Sequence, residues 1–117
     1  MNSEEIRNYC MAKKSVTESL PFDEHTLVFK VAGKMFLLLS LDSDSLSFNV
    51  KCEPDKAIEL REKYTYVEPG YHMNKKHWNT VNCTSSASKK LIYNWIDDSY
   101  HLVVGGLPKK IRESLNK

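Results

Sequence analysis

Leu27-Val28-Phe29-Lys30-Val31-Ala32-Gly33-Lys34-Met35-Phe36-Leu37-Leu38-Leu39-Ser40-Leu41 decides the fold. Leu27 to Val31 is rich in β-formers, Ala32-Gly33-Lys34 breaks the run, and Met35 to Leu41 resumes it. Gly33-Lys34 suits a two-residue hairpin turn with glycine in its first position, because glycine reaches positive φ without a steric cost. Asp42-Ser43-Asp44-Ser45 then reads as a second turn. In Leu46 to Cys52, Leu46, Phe48 and Val50 alternate with Ser47, Asn49 and Lys51, the period of a half-buried strand. Three strands joined by two tight turns define an antiparallel meander.

Helical patterns surround this meander. Ser3 followed by Glu4 and Glu5 starts a first helix, which runs to about Ala12 with Ile6, Tyr9 and Cys10 on one face. Val16 to Phe22, containing Pro21, reads as a connection. Pro54 opens a second helix, where its missing amide costs nothing. Ala57, Leu60 and Tyr64 form its stripe, and it ends near Lys63 or Tyr64. Pro69-Gly70 is a turn, Tyr71 to Met73 a short extended piece, and His77 to Cys83 a fourth strand. A long helix is expected from about Ser86 to Val104, stopped by Gly105-Gly106, with a short last helix after Pro108. The expected fold is therefore α+β with two layers, an antiparallel sheet carrying its helices on one face. The order is helix, three strands, helix, one or two strands, helix, helix.

At 117 residues the chain is expected to form a single domain, 1–117. No apolar run approaches the ~20 residues of a membrane span, and no membrane role is expected. The N-terminus lacks the basic-then-apolar pattern of a secretory signal. The 3 cysteines form no Cys-x-x-Cys, which argues against a disulfide framework and for the cytoplasm. The net charge of +2 selects no partner, but its distribution is uneven. Residues 1–68 carry 9 basic and 12 acidic side chains, a net of −3, and residues 69–117 carry 8 and 3, a net of +5. Such asymmetry is compatible with an anionic partner on one side.

The basic part begins at Pro69-Gly70-Tyr71-His72-Met73-Asn74-Lys75-Lys76-His77-Trp78-Asn79-Thr80-Val81, a run with two lysines, two histidines, two aromatics and no acid. Alternation puts Lys76, Trp78 and Thr80 on one face and His77, Asn79 and Val81 on the other, and neither face is cleanly apolar. Trp78 is therefore either an exposed ring beside two ammonium groups or a core-edge ring covered by lysine stems.

These residues resemble the MmcQ/YjbR family. The resemblance is carried in order by Val16-Thr17-Glu18-Ser19-Leu20-Pro21-Phe22, by Val28 to Phe36, by Lys51-Cys52-Glu53-Pro54-Asp55-Lys56-Ala57, by the Gly70 to Trp78 core, and by Ser99-Tyr100-His101-Leu102-Val103-Val104. It covers nearly the whole chain. It implies a small α+β domain of the CyaY-like or secretion-chaperone-like kind and a double-wing DNA-binding protein, with no catalytic residues to carry over.

The residues are compatible with a non-enzymatic binding protein whose favoured partner is DNA, held with weak sequence specificity. Lys34 at the hairpin tip, Lys75 and Lys76 are expected to contact phosphates, joined by Lys30 and, from the first helix, by Lys13 and Lys14. Tyr71, His72 and Trp78 would stack or hydrogen-bond, and Asn74 and His77 lie in the same run. Two other readings remain. Tyr71, Met73 and Trp78 could anchor a protein partner or a second copy, or His72, His77 and Trp78 could line a small-molecule pocket. No cofactor is implied. His72 and His77 lack the spacing of a zinc site. Asp97, Asp98, Ser99 and His101 have the residue types of a triad, but one helix cannot aim Ser99 at His101, and no nucleophile elbow surrounds the serine. Cys52 and Cys83 read as buried structural thiols.

Overall fold

The computed structural model describes residues 1–41, 46–70, 73–83 and 87–115. Its central hairpin joins β2 (Thr26–Val31) to β3 (Lys34–Ser40). Val31 pairs with Lys34, so the loop residues are Ala32 and Gly33, with φ of 47° and 83°. Positive φ at both positions is the turn whose twist matches the flanking strands. Glycine thus stands second in the turn rather than first, and Lys34 is the first residue of a strand. The hairpin also contains a bulge. Phe29 pairs with Leu37 and Lys30 with Met35, leaving Phe36 as the extra residue. Phe36 and Leu37 both join the core.

The meander continues into β4 (Ser47–Lys51), where Phe48 and Val50 face the core as the alternation requires. The turn expected at Asp42 to Ser45 lies outside the described residues. The sheet has six strands rather than four or five. Val16–Ser19, expected as a connection, forms β1 and pairs with β2. Val67–Pro69 forms β5 against β6 (Trp78–Asn82). The extended piece thus lies before Gly70. Met73 is not in a strand, and Tyr71 and His72 lie outside the described residues. The order is β1-β2-β3-β4-β6-β5, with every neighbouring pair antiparallel.

The helices are α1 (Ser3–Met11), α2 (Pro54–Lys63), α3 (Lys89–Gly105) and α4 (Lys109–Leu115). The cap of α1 is Asn2 rather than Ser3, its side chain accepting from the Glu5 N–H at 2.8 Å. Ser88 caps α3. Ile92, Ile96, Tyr100 and Val103 recur at helical spacing on the buried side of α3. They meet Phe29, Leu37, Leu39, Phe48, Val50 and Val81 from the sheet, with Ile6 and Cys10 of α1 and Ala57 and Leu60 of α2 completing the core. The opposite face of the sheet carries a smaller cluster of Val28, Leu38 and Trp78.

Candidate functional site

Strand polarity gathers the basic residues. Lys51 at the end of β4 pairs with Trp78 at the start of β6, and Leu37, near the start of β3, pairs with Val50. The hairpin with Lys34, the end of β4, Gly70 and residues 73–77 therefore lie at one end of the sheet. The Ala32 N–H donates to the Ser15 carbonyl, which brings the segment containing Lys14 to the same end. The other end of the strands carries Asp23 and Glu24, just before β2. The basic side chains thus come from four places in the chain that share one end of the strands, where Glu53 also follows β4.

The signature run owes its shape to contacts inside the molecule. The Gly70 N–H donates to the Trp78 carbonyl at 2.9 Å. A Cβ on Gly70 would lie 2.8 Å from Trp78 Cβ and 3.0 Å from its carbonyl oxygen, so the close approach requires glycine. The Asn74 carbonyl accepts from the N–H groups of His77 and Trp78, and its Oδ1 accepts from the Lys76 N–H. This folds the chain sharply before β6. Arg61 of α2 fastens the loop. Its Nε donates to Asn79 Oδ1 at 2.7 Å, and its Nη2 donates to the Trp78 carbonyl at 3.2 Å and to the Lys75 carbonyl. Asn79 is 1% exposed, and its amide reaches the Ala57 carbonyl, so its burial is compensated on both sides.

The residues expected to bind separate into groups. Lys34, Lys75 and Lys76 are exposed at the same end of the sheet. The Lys75 ammonium folds back onto the Gly70 carbonyl at 3.2 Å. Lys30 is half-buried and pairs with Met35. Asn74 is exposed and holds the turn, whereas His77 is half-buried and its carbonyl accepts from the Cys52 N–H at 2.7 Å. Tyr71 and His72 fall outside the described residues. Trp78 is 9% exposed and packs on Val28 and Leu38, flanked by Met35 and Met73, so of the two arrangements open in the sequence its ring takes the packed one. Lys13 is engaged internally, 2.5 Å from Asp97 and over the rings of Tyr9 and Tyr100. Sequence reasoning missed Arg61, because Leu60-Arg61-Glu62-Lys63 looks like any solvated helix surface.

The triad residue types are otherwise engaged. Ser99 is fully buried, its Oγ accepting from the Lys51 N–H at 2.8 Å and donating to the Phe36 carbonyl at 2.5 Å. Asp97 accepts from the Tyr9 hydroxyl at 2.8 Å, and burial together with that bond pushes the Tyr9 phenol up to about 12. Among the described residues no group of three or more His, Cys, Asp or Glu side chains could hold a metal ion. Nor is any described helix long and apolar enough to cross a membrane. Burial raises all three thiols, Cys10 to about 12 and Cys83 to about 11.

An antiparallel α+β layer with its helices on one face, joined by a glycine-dependent loop clamped to the second helix, defines a structural class that known proteins share. The YjbR family model matches residues 11–102. The uncharacterized Escherichia coli K12 protein YjbR is 32% identical over 115 residues, covering 98% of both chains. The uncharacterized Escherichia coli O157:H7 protein YbdF is 41% identical over 90 residues, 77% of this chain and 74% of that protein. The crystal structure of Deinococcus radiodurans DR2400, a DUF419 domain, superimposes with a TM-score of 0.90 at 34% identity, covering 97% of this chain and 86% of that one. The chain belongs to the YjbR family.

Proposed function

We propose that this protein is a non-enzymatic, cytoplasmic DNA-binding protein that grips the phosphate backbone with the basic end of its sheet. One observation carries the reading. Exposed Lys34, Lys75 and Lys76 come from two separate projections, the β2–β3 hairpin and the segment before β6, at the end of the strands away from Asp23 and Glu24. Lysines at two loops on the same end of the sheet, with β4 between them, fit the double-wing arrangement that the family resemblance implies. Lys14 and Lys51 extend the same end. With Trp78 packed inside and the exposed Phe22 ring before β2 at the far end of the strands, no exposed Phe, Tyr or Trp among the described residues stands beside these lysines, so the contacts are with phosphates and specificity is weak.

The test is fluorescence anisotropy with a short labelled duplex across a salt series. Three phosphate contacts predict that log K falls against log salt with a slope of about −2.7. Replacing Lys34, Lys75 and Lys76 together by glutamate should abolish binding and lower the melting temperature by only a few degrees, for the lost Lys75–Gly70 hydrogen bond. Absence of binding at low salt and micromolar protein, or binding that survives the triple replacement, would remove this reading.

A further inference from the structure

A cleft of 660 Å³ opens where the start of α2 faces the last turns of α3. No residue expected to bind from the sequence lines it. Its size lies within the ~300–1,000 Å³ range of small-molecule sites. One wall is Cys52, Glu53 and Lys56, and the other is Asp98, His101 and Leu102. At Gly105, also in the lining, a Cβ would meet nothing within 4 Å, so the end of α3 leaves the space open.

The charges in this cleft are opposite in sign and loosely paired. Lys56 Nζ lies 3.7 Å from Asp98 Oδ2, and both side chains are half-exposed. That distance is longer than a hydrogen bond. Such a half-exposed pair contributes little to stability, so a ligand exchanges it at little cost. Glu53 makes no capping bond to α2 and adds a second carboxylate to the lining. A bare anion would satisfy Lys56 but would face Asp98 and Glu53, and a bare amine would leave Lys56 without its partner. A molecule with both groups satisfies both walls. Leu102 and the Cys52 thiol supply an apolar surface between them, the thiol being kept in its neutral form by burial.

We propose that this cleft binds a small zwitterion, an amino acid or short peptide with an apolar side chain, its carboxylate on Lys56, its ammonium on Asp98 and Glu53, and its side chain against Leu102. The probe is the dipeptide glycyl-leucine, titrated into ¹⁵N-labelled protein alongside its N-acetylated and C-amidated forms. The expected result is a saturable shift of the Glu53, Lys56, His101 and Gly105 amides. Each blocked form, and each of the variants Lys56→Gln and Asp98→Asn, should weaken the dipeptide by about ten-fold, a loss that corresponds to 1.4 kcal/mol. Both variants change half-exposed side chains and should keep the native spectrum. The glutamate replacements at Lys34, Lys75 and Lys76 should leave this binding unchanged. The proposal is overturned by unshifted cleft amides at millimolar dipeptide, by equal response to the blocked forms, or by variants that bind as the parent does.

Discussion

Arg61 satisfies three acceptors around the start of β6 with one guanidinium, and one of them, Asn79 Oδ1, belongs to a buried side chain. Removing the donor leaves that amide oxygen in the interior without a partner. Arg61→Ala is expected to cost about 1–3 kcal/mol. Arg61→Lys should recover little, since an ammonium cannot span the planar fork. Gly70→Ala forces a methyl against the backbone of Trp78 and should cost about 1–3 kcal/mol, as overpacking does. Thermal melts of the three variants check both expectations, at about 4–8 °C per kcal/mol for a domain near this size. The cysteines give a test of another kind. Burial raises all three thiols, so folding keeps them protonated where the unfolded chain ionises. Their contribution to stability is complete below the ordinary thiol value and declines as pH rises from about 9 towards 12. A chromogenic disulfide reagent near pH 8 should therefore label the native protein slowly and all three thiols quickly in denaturant.

Among the elements, α1 is tied to its neighbours by two ion pairs from its first two turns. Arg7 holds Glu18 of β1 with two bonds of 2.6 and 2.7 Å, and Glu5 accepts from Lys89 at the start of α3. The hydrogen bond from Arg7 holds the Glu18 carboxyl below its usual range, and the one from Lys89 does the same for Glu5. A depressed carboxylate stabilises above its unfolded value and loses that contribution as pH falls through the folded one. Hydrogen exchange in α1 should accordingly speed up below about pH 4, relative to α3, with a small loss of global stability because these pairs are exposed. The β2–β3 turn makes the opposite prediction. Ala32 sits at φ 47°, where a Cβ is unfavourable, so Ala32→Asn should stabilise by up to ~1 kcal/mol, read by denaturant titration.

The elements also show what the sequence could reveal. The central strands and the three longer helices were legible because their apolar residues follow one period, as Phe48 and Val50 do in β4 and Ile92, Ile96 and Val103 do in α3. The two edge strands were not. Val16–Ser19 has one apolar residue and half-buried or exposed positions throughout, and Pro69 in β5 argues against a strand unless that strand lies at an edge. The facing of Trp78 was hidden for a related reason. Residues 78–81 of β6 are all buried, Trp78 and Thr80 on the outer face and Asn79 and Val81 on the inner. A polar residue that α2 satisfies from outside the strand breaks the apolar-to-polar alternation. The signature run could thus be found by its composition, but its dependence on Arg61 is a long-range contact that no local pattern records.

For the molecule as a whole, the net charge of +2 describes its interactions less well than the placement of charge along the strands. Exposed Lys34, Lys75 and Lys76 at one end and exposed Asp23 and Glu24 at the other contribute an electric dipole with a component along the strands. In the field of a polyanion this molecule experiences a torque as well as an attraction, and it arrives already oriented with the β2–β3 hairpin and the segment before β6 leading. Transient electric birefringence should detect that moment. Moving charge without changing its total, by Lys34→Glu together with Glu24→Lys, should shrink it and should slow capture by an anionic surface more than it weakens equilibrium binding.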